Sequence, residues 1–293
     1  MIHPQIAAVL ASLPAPPPGP LDPVAMRAAE AAQVPALADR IPVASVEDAV
    51  VAGVPVRVYA STDSPRGVLV YLHGGAFFLG SLDTHDHVAR QLANATGWEV
   101  VSVGYRLAPE HAFPAGLDDC WAVVQWAAAR GVRVALAGDS SGGTFVAALA
   151  ARAADEGLDA VTHQILYYPS LDLDFDVDRY ASLRTEGEGY GLETVGLKPF
   201  NAFYLDSGAD PADPRVSPIK RADLTGLPAA LVITAEHDPL RDEGELYAAR
   251  LAEAGVPVTV SRYAGANHGF VANFSWLPEF HGVFDETAAF LNA

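Results

Sequence analysis

The sequence predicts an α/β protein: a mostly parallel sheet of eight strands, flanked by helices and covered by a helical cap. Three observations predict it. Short β-branched runs alternate with stretches of helical apolar spacing, eight such strand runs can be counted, and two long segments break the alternation.

Taken in order, the chain opens with a short helical stretch followed by LPAPPPGPLDP (13–23), a proline-rich segment expected to be extended. From residue 40, PVASVEDAVV and VPVRVYA read as two antiparallel strands leading into GVLVYLHGG, whose unbroken apolar run suits a strand buried on both faces. EVVSVGY, RVALAG, THQILYYP, AALVITAE and PVTVSRY supply the remaining strands. Between them, THDHVARQLANAT, GLDDCWAVVQWAAARG, TFVAALAARAADEG and EGELYAARLAEAG place apolar residues three or four apart, the spacing of one helix face. Residues 1–39 and 171–224 do not fit the alternation. The second carries the aromatics Tyr190, Phe200, Phe203 and Tyr204 among scattered Asp, Gly and Pro. Long insertions between sheet elements tend to cover sites, so these two segments are expected to form a cap over a core of 40–170 and 225–293.

Composition narrows the function. A net charge of −18, with lysine only at Lys198 and Lys220, argues against nucleic acid and anionic membranes as partners, since both require a basic surface. No apolar run approaches the roughly 18 residues that cross a bilayer. The first residues carry no basic group ahead of their short apolar stretch, so a cytoplasmic location is expected. The single Cys120 rules out an intrachain disulfide and a cysteine metal cluster; within DDCWAVVQWAAA it reads as a buried thiol.

The stretch ALAGDSSGGT (135–144) carries the first chemical signal. A nucleophile on a sharp strand-to-helix turn needs small residues two before and two after it, where backbones come close. Gly138 and Gly142 frame Ser140 in this way, whereas Asp139 and Gly143 frame Ser141, so Ser140 is the candidate. Ligands of open parallel sheets bind beyond the carboxyl ends of the strands, and other chemistry-bearing residues fall there as well. Asp238 follows AALVITAE, His268 follows PVTVSRY by a short loop, and His73 with its glycine pair follows GVLVYL. A serine hydroxyl needs a base to take its proton, and the imidazole in turn needs a carboxylate to fix its tautomer. His268 and Asp238 fit these roles, in the order Ser, Asp, His along the chain. The oxyanion of the tetrahedral intermediate needs backbone N–H donors, which Ser141 and the HGGAF loop (Gly74, Gly75, Ala76) can offer.

The HGGAF loop, YRLAPEHAFPAGLDD (105–119), GDSSGG, DPLRDEG and NHGF, in that order, resemble the hormone-sensitive lipase-like family of carboxylesterases, the bacterial family IV esterases. The resemblance runs over nearly the whole chain from about residue 40. It implies the α/β-hydrolase fold and hydrolysis of short- to medium-chain carboxylic esters without cofactor or metal. It matches Ser140 to the nucleophile, Asp238 to the acid, His268 to the base, and Gly74, Gly75 and Ala76 to the oxyanion loop; His73 and the YRLAPEH residues match positions that shape the site. Two departures stand out. Ala76 replaces the third glycine of the common HGGG loop, and Ser141 replaces the alanine of the common GDSAGG elbow; neither is expected to disturb the amide donors. Hydrolysis of amides or lactones by the same groups stays open, as does a non-catalytic receptor, although such receptors typically lose a triad member.

Competing residues have plainer readings. His85 and His87 alternate at a helix start, but no third ligand follows at suitable spacing, so no metal is expected. His237 adjoins Asp238 and points elsewhere, and His281 reads as a surface residue. Asp242 and Glu243 open a helix, where the macrodipole favours acids. Asp139, beside the elbow, reads as structural. Phe77, Phe78, Tyr190, Phe203 and Phe270, with Trp276, are candidates to line a substrate pocket. The partner is a small-molecule ester, and a homodimer is left open.

Overall fold

The computed structural model describes residues 1–13 and 19–293. Five of the eleven residues of the proline-rich segment expected to be extended, residues 14–18, therefore lie outside the described residues.

Eight strands form a single sheet: β1 (Ser45–Val51), β2 (Val54–Ala60), β3 (Val68–Leu72), β4 (Glu99–Val103), β5 (Val134–Asp139), β6 (Val161–Tyr167), β7 (Ala229–His237) and β8 (Val258–Asn267). Their order is β1-β2-β4-β3-β5-β6-β7-β8. The hairpin strand β2 runs antiparallel to both β1 and β4, and every pairing from β4 onward is parallel. Strand β5 thus lies inside the parallel portion, between β3 and β6.

The strands are apolar on both sides because helices cover both faces. Along β3, Val68, Val70 and Leu72 enter one core layer while Leu69 and Tyr71 enter the other. This two-residue alternation is what a pleated strand between two helix layers requires. The first layer includes residues of α4 (Ala115–Ala128), α5 (Ser141–Asp155) and α8 (Arg241–Glu253). The second includes α3 (Asp86–Thr96) and α10 (Pro278–Leu291). Each of the four central helical patterns read from the sequence falls on one of these helices. Cys120 is buried in the first layer as a free thiol.

The remaining helices lie outside this alternation. Helices α1 (Pro4–Ser12) and α2 (Pro23–Ala31) precede β1. Helices α6 (Ser182–Thr185) and α7 (Thr194–Leu205) lie between β6 and β7, and the short α9 (Phe270–Asn273) follows β8. Arg27 ties α2 to the core. Its guanidinium donates to the carbonyls of Phe78 at 2.6 Å and Ala108 at 2.5 Å, and pairs with Glu110 at 2.8 Å. Tyr204 of α7 is buried in the first core layer, with its ring stacked 4.0 Å from that of Phe77. No helix among the described residues is long and apolar enough to cross a membrane.

Candidate active site

Ser140 sits between the last residue of β5 and the first of α5, with φ 54° and ψ −119°. For a non-glycine residue this backbone costs on the order of 1–3 kcal/mol and persists only where the surroundings over-determine it. Here they do. The Ser140 N–H donates to the Tyr167 carbonyl at 2.9 Å, and its own carbonyl accepts from Gly143 at 2.9 Å and Ser170 at 3.1 Å. The flanking glycines are a packing necessity. A Cβ on Gly138 would come within 2.6 Å of the Gly142 carbonyl group, and one on Gly142 would collide with the Leu72 carbonyl oxygen.

His268 follows β8 and faces Ser140, with Nε2 2.9 Å from Oγ. Its Nδ1 lies 2.8 Å from Asp238 Oδ2. Asp238 directly follows β7 and is wholly buried; its second oxygen accepts the Leu240 N–H at 2.8 Å. With Nδ1–H given to the carboxylate, Nε2 is left as the acceptor for the serine proton. The three strand ends thus bring together the three residues that the sequence singled out.

The neighbouring acids and histidines have other partners. His237 turns its Nδ1 to Glu186 at 3.0 Å and stacks on Tyr190. Glu236 accepts the Gly265 N–H, and Asp242 accepts the Ser182 N–H. Asp242 and Glu243 open α8 as the sequence suggests, but Glu243 faces inward. It is buried and accepts the Leu171 N–H at 2.6 Å, and burial pushes its carboxyl well above the usual range.

Gly74, Gly75 and Ala76 line the loop after β3, and one of them needs correction. The Gly74 N–H donates to Asp139 Oδ1 at 2.9 Å, so it is not free to meet an oxyanion. The N–H groups of Gly75, Ala76 and Ser141 find no acceptor among the described residues, and Gly75 and Ala76 face the cavity beside Ser140. Asp139 is structural, as its position suggested. It is buried, takes the Tyr71 phenol at 2.7 Å as well as Gly74, and lies 3.8 Å from His85 Nε2. Burial pushes its carboxyl up, but His85, Tyr71 and His73 outweigh that and hold it below the ordinary value. His73 is buried between the rings of Tyr105 and His85, and burial drives it down to about 3, so it stays neutral.

The cavity that reaches Ser140 and His268 has a volume of about 510 Å³. None of the six aromatics expected to line it, Trp276 included, does so. Phe77 packs on Tyr204 and Phe145; Phe78 packs on Phe200 and Phe203; Phe270 is buried among Tyr168, Tyr263 and Phe280; Tyr190 covers His237. Phe77, Phe78 and Phe270 are almost wholly buried, where such rings gain most, and this keeps them from the cavity wall. The apolar lining comes instead from Val34, Pro35, Leu192, Phe200, Tyr168 and Ala272. His85 and His87 also face this cavity, and His87 Nε2 meets the Ala272 carbonyl at 2.6 Å. Among the described residues, no group of three His, Cys, Asp or Glu could hold a metal ion.

Residues 69–272 match the family model described as the alpha/beta hydrolase fold. The chain is 41% identical over 235 residues to carboxylesterase NlhH of Mycobacterium tuberculosis, covering 76% of this chain and 72% of that one. It is 39% identical to an ethyl acetate hydrolase of Pseudomonas putida, covering 77% and 74%. A Pyrobaculum calidifontis esterase structure superposes with a TM-score of 0.90 at 39% identity, covering 99% of this chain and 97% of that one. A matching family model, catalogued esterase relatives and a shared architecture converge: the chain belongs to the α/β-hydrolase family, on its hormone-sensitive lipase-like branch, and is a serine carboxylesterase.

Proposed function

We propose that Ser140 is the nucleophile, His268 the general base and Asp238 the acid of this esterase, acting on short- to medium-chain esters. Ser140 Oγ attacks the ester carbonyl carbon as His268 Nε2 takes its proton. The carbonyl oxygen becomes an oxyanion held by the N–H groups of Gly75, Ala76 and Ser141, each such donor contributing roughly 3 kcal/mol in comparable sites. Collapse breaks the bond to the alcohol oxygen, which leaves with the proton from Nε2. Water then gives its proton to Nε2 and attacks the acyl carbon, releasing the carboxylic acid and restoring Ser140. Asp238 stays ionised throughout and stabilises the imidazolium. Apart from the attacking water, every group this mechanism uses belongs to the chain.

The observation that carries this reading is the continuous hydrogen-bonded line from Ser140 Oγ through His268 to the buried Asp238, with Ser140 and His268 lining the cavity. The cavity's walls support its two-part cap. Residues 1–39 contribute Glu30, Gln33, Val34 and Pro35, and residues 171–224 contribute Leu192 and Phe200. A space of about 510 Å³ suits a small ester better than a triglyceride.

The test compares the wild type and Ser140→Ala on chromogenic esters of about two to twelve acyl carbons, with anilides and lactones alongside. Loss of several orders of magnitude in kcat, with the fold intact, is expected. An equally active variant would end the acyl-enzyme reading, and faster turnover of anilides or lactones would move the substrate class.

A further inference from the structure

The reaction above uses the backbone of Ser141 and leaves its hydroxyl without a part, yet that hydroxyl is buried and engaged. Ser141 Oγ accepts the Phe77 N–H at 3.2 Å, and the residue is 1% exposed. The Phe77 N–H has no other acceptor among the described residues. The backbone it holds is strained: Ala76 and Phe77 stand consecutively at φ 51° and 68°, left-handed values that side chains disfavour.

The loop's two ends are anchored differently. At the near end, the Gly74 N–H is fixed by Asp139 and the His73 carbonyl accepts the Tyr105 phenol at 2.7 Å. At the far end, the Phe77 carbonyl accepts the Ala108 N–H at 3.0 Å, and the Phe77 ring is clamped by Tyr204. Between these anchors, the bond to Ser141 Oγ is the one side-chain hydrogen bond among the described residues that reaches the Ala76–Phe77 peptide. It joins that peptide to the residue whose own N–H forms the other side of the oxyanion pocket.

We propose that Ser141 is a positioning residue. Its hydroxyl pins the strained Ala76–Phe77 turn to the nucleophile elbow, so that the loop amides and the Ser141 amide converge on one oxygen. The inference rests on the assignment of Ser140 as nucleophile and of these amides as oxyanion donors. A glycine at 76 would adopt a left-handed backbone without strain, whereas Ala76 needs a restraint, and the Ser141 hydroxyl supplies one.

The experiment measures kcat, KM and thermal midpoint for Ser141→Ala and Ser141→Cys, together with affinity for an aryl boronic acid. The boronic acid forms a tetrahedral adduct with a serine and places an oxygen where the oxyanion forms. Ser141→Ala is expected to lose about tenfold in kcat with KM within about twofold, and to lose boronate affinity by the same factor. Ser141→Cys, a weaker acceptor of similar size, falls between; it carries the test if the alanine variant does not fold. Unchanged kcat and boronate affinity in a folded variant would overturn the proposal. So would equal losses in boronate affinity and in binding of an unreactive ester mimic, which would indicate general loosening. The parallel Ser140→Ala enzyme separates the two ideas: if it remains active, the acyl-enzyme assignment itself fails.

Discussion

Lowering the pH from 7 to 5 should destabilise this protein through His73, and the size of the effect follows from its surroundings. The ring is 1% exposed, packed between Tyr105 and His85, and burial lowers its pKa from 6.5 to about 3. The unfolded chain therefore binds a proton near pH 6.5 that the folded chain refuses. Stability is complete above that value and is lost as pH falls from about 6.5 towards 3. Each pH unit below the unfolded value costs about 1.4 kcal/mol, so this one residue accounts for about 2 kcal/mol of lost stability at pH 5. Among the groups facing it, His85 deepens the shift, whereas the Gly74 carbonyl and Asp139 favour the charged ring and temper it. The assay is urea denaturation of wild type and His73→Asn at pH 7 and pH 5. Asparagine keeps a donor near the Nδ1 position, which lies 2.8 Å from the Gly74 carbonyl, and cannot titrate. The variant is less stable at pH 7 because it leaves a void, but its stability should fall less between the two pH values, by about 2 kcal/mol. An identical fall in both proteins would refute the argument.

Asp238→Asn should lower kcat by about 10³–10⁴-fold by favouring the wrong tautomer of His268, while Asp242→Asn changes kcat by less than about twofold; steady-state kinetics on one ester distinguishes them. Phe200→Ala should lengthen the preferred acyl chain because its ring lines the cavity. Phe203→Ala, whose ring packs on Phe78, should instead lower thermal stability with the chain-length profile unchanged. Glu243→Gln should cost less than about 1 kcal/mol in urea denaturation at pH 7, because burial already favours the neutral carboxyl and the Leu171 N–H keeps an acceptor.

The proposed catalytic framework is legible in sequence because it depends on order and spacing. Ser140, Asp238 and His268 each follow a β-branched run, and parallel strands bring such ends together whatever the intervening helices contain. Gly138 and Gly142 were legible because backbone contact allows nothing larger. The pocket was not legible, since its lining depends on which way each side chain faces. Phe200 and Phe203 stand three apart on α7, and only Phe200 reaches the cavity. Val34 and Pro35 lie in a stretch without periodicity. Motif position groups Gly74 with its neighbours and does not reveal that Asp139, 65 residues away, already holds its N–H. The Ser141 hydroxyl's partner is hidden for a similar reason, lying 64 residues away in the chain.

The proposed site draws its reacting groups and its walls from different sources. Ser140, Asp238 and His268 hang from adjoining or nearby strands of one sheet, while much of the apolar lining comes from residues 34–35, 192 and 200, outside it. Substrate range can then drift across generations while the reaction is inherited unchanged. A mutant library confined to those few wall positions would explore new esters with most of its members still alive.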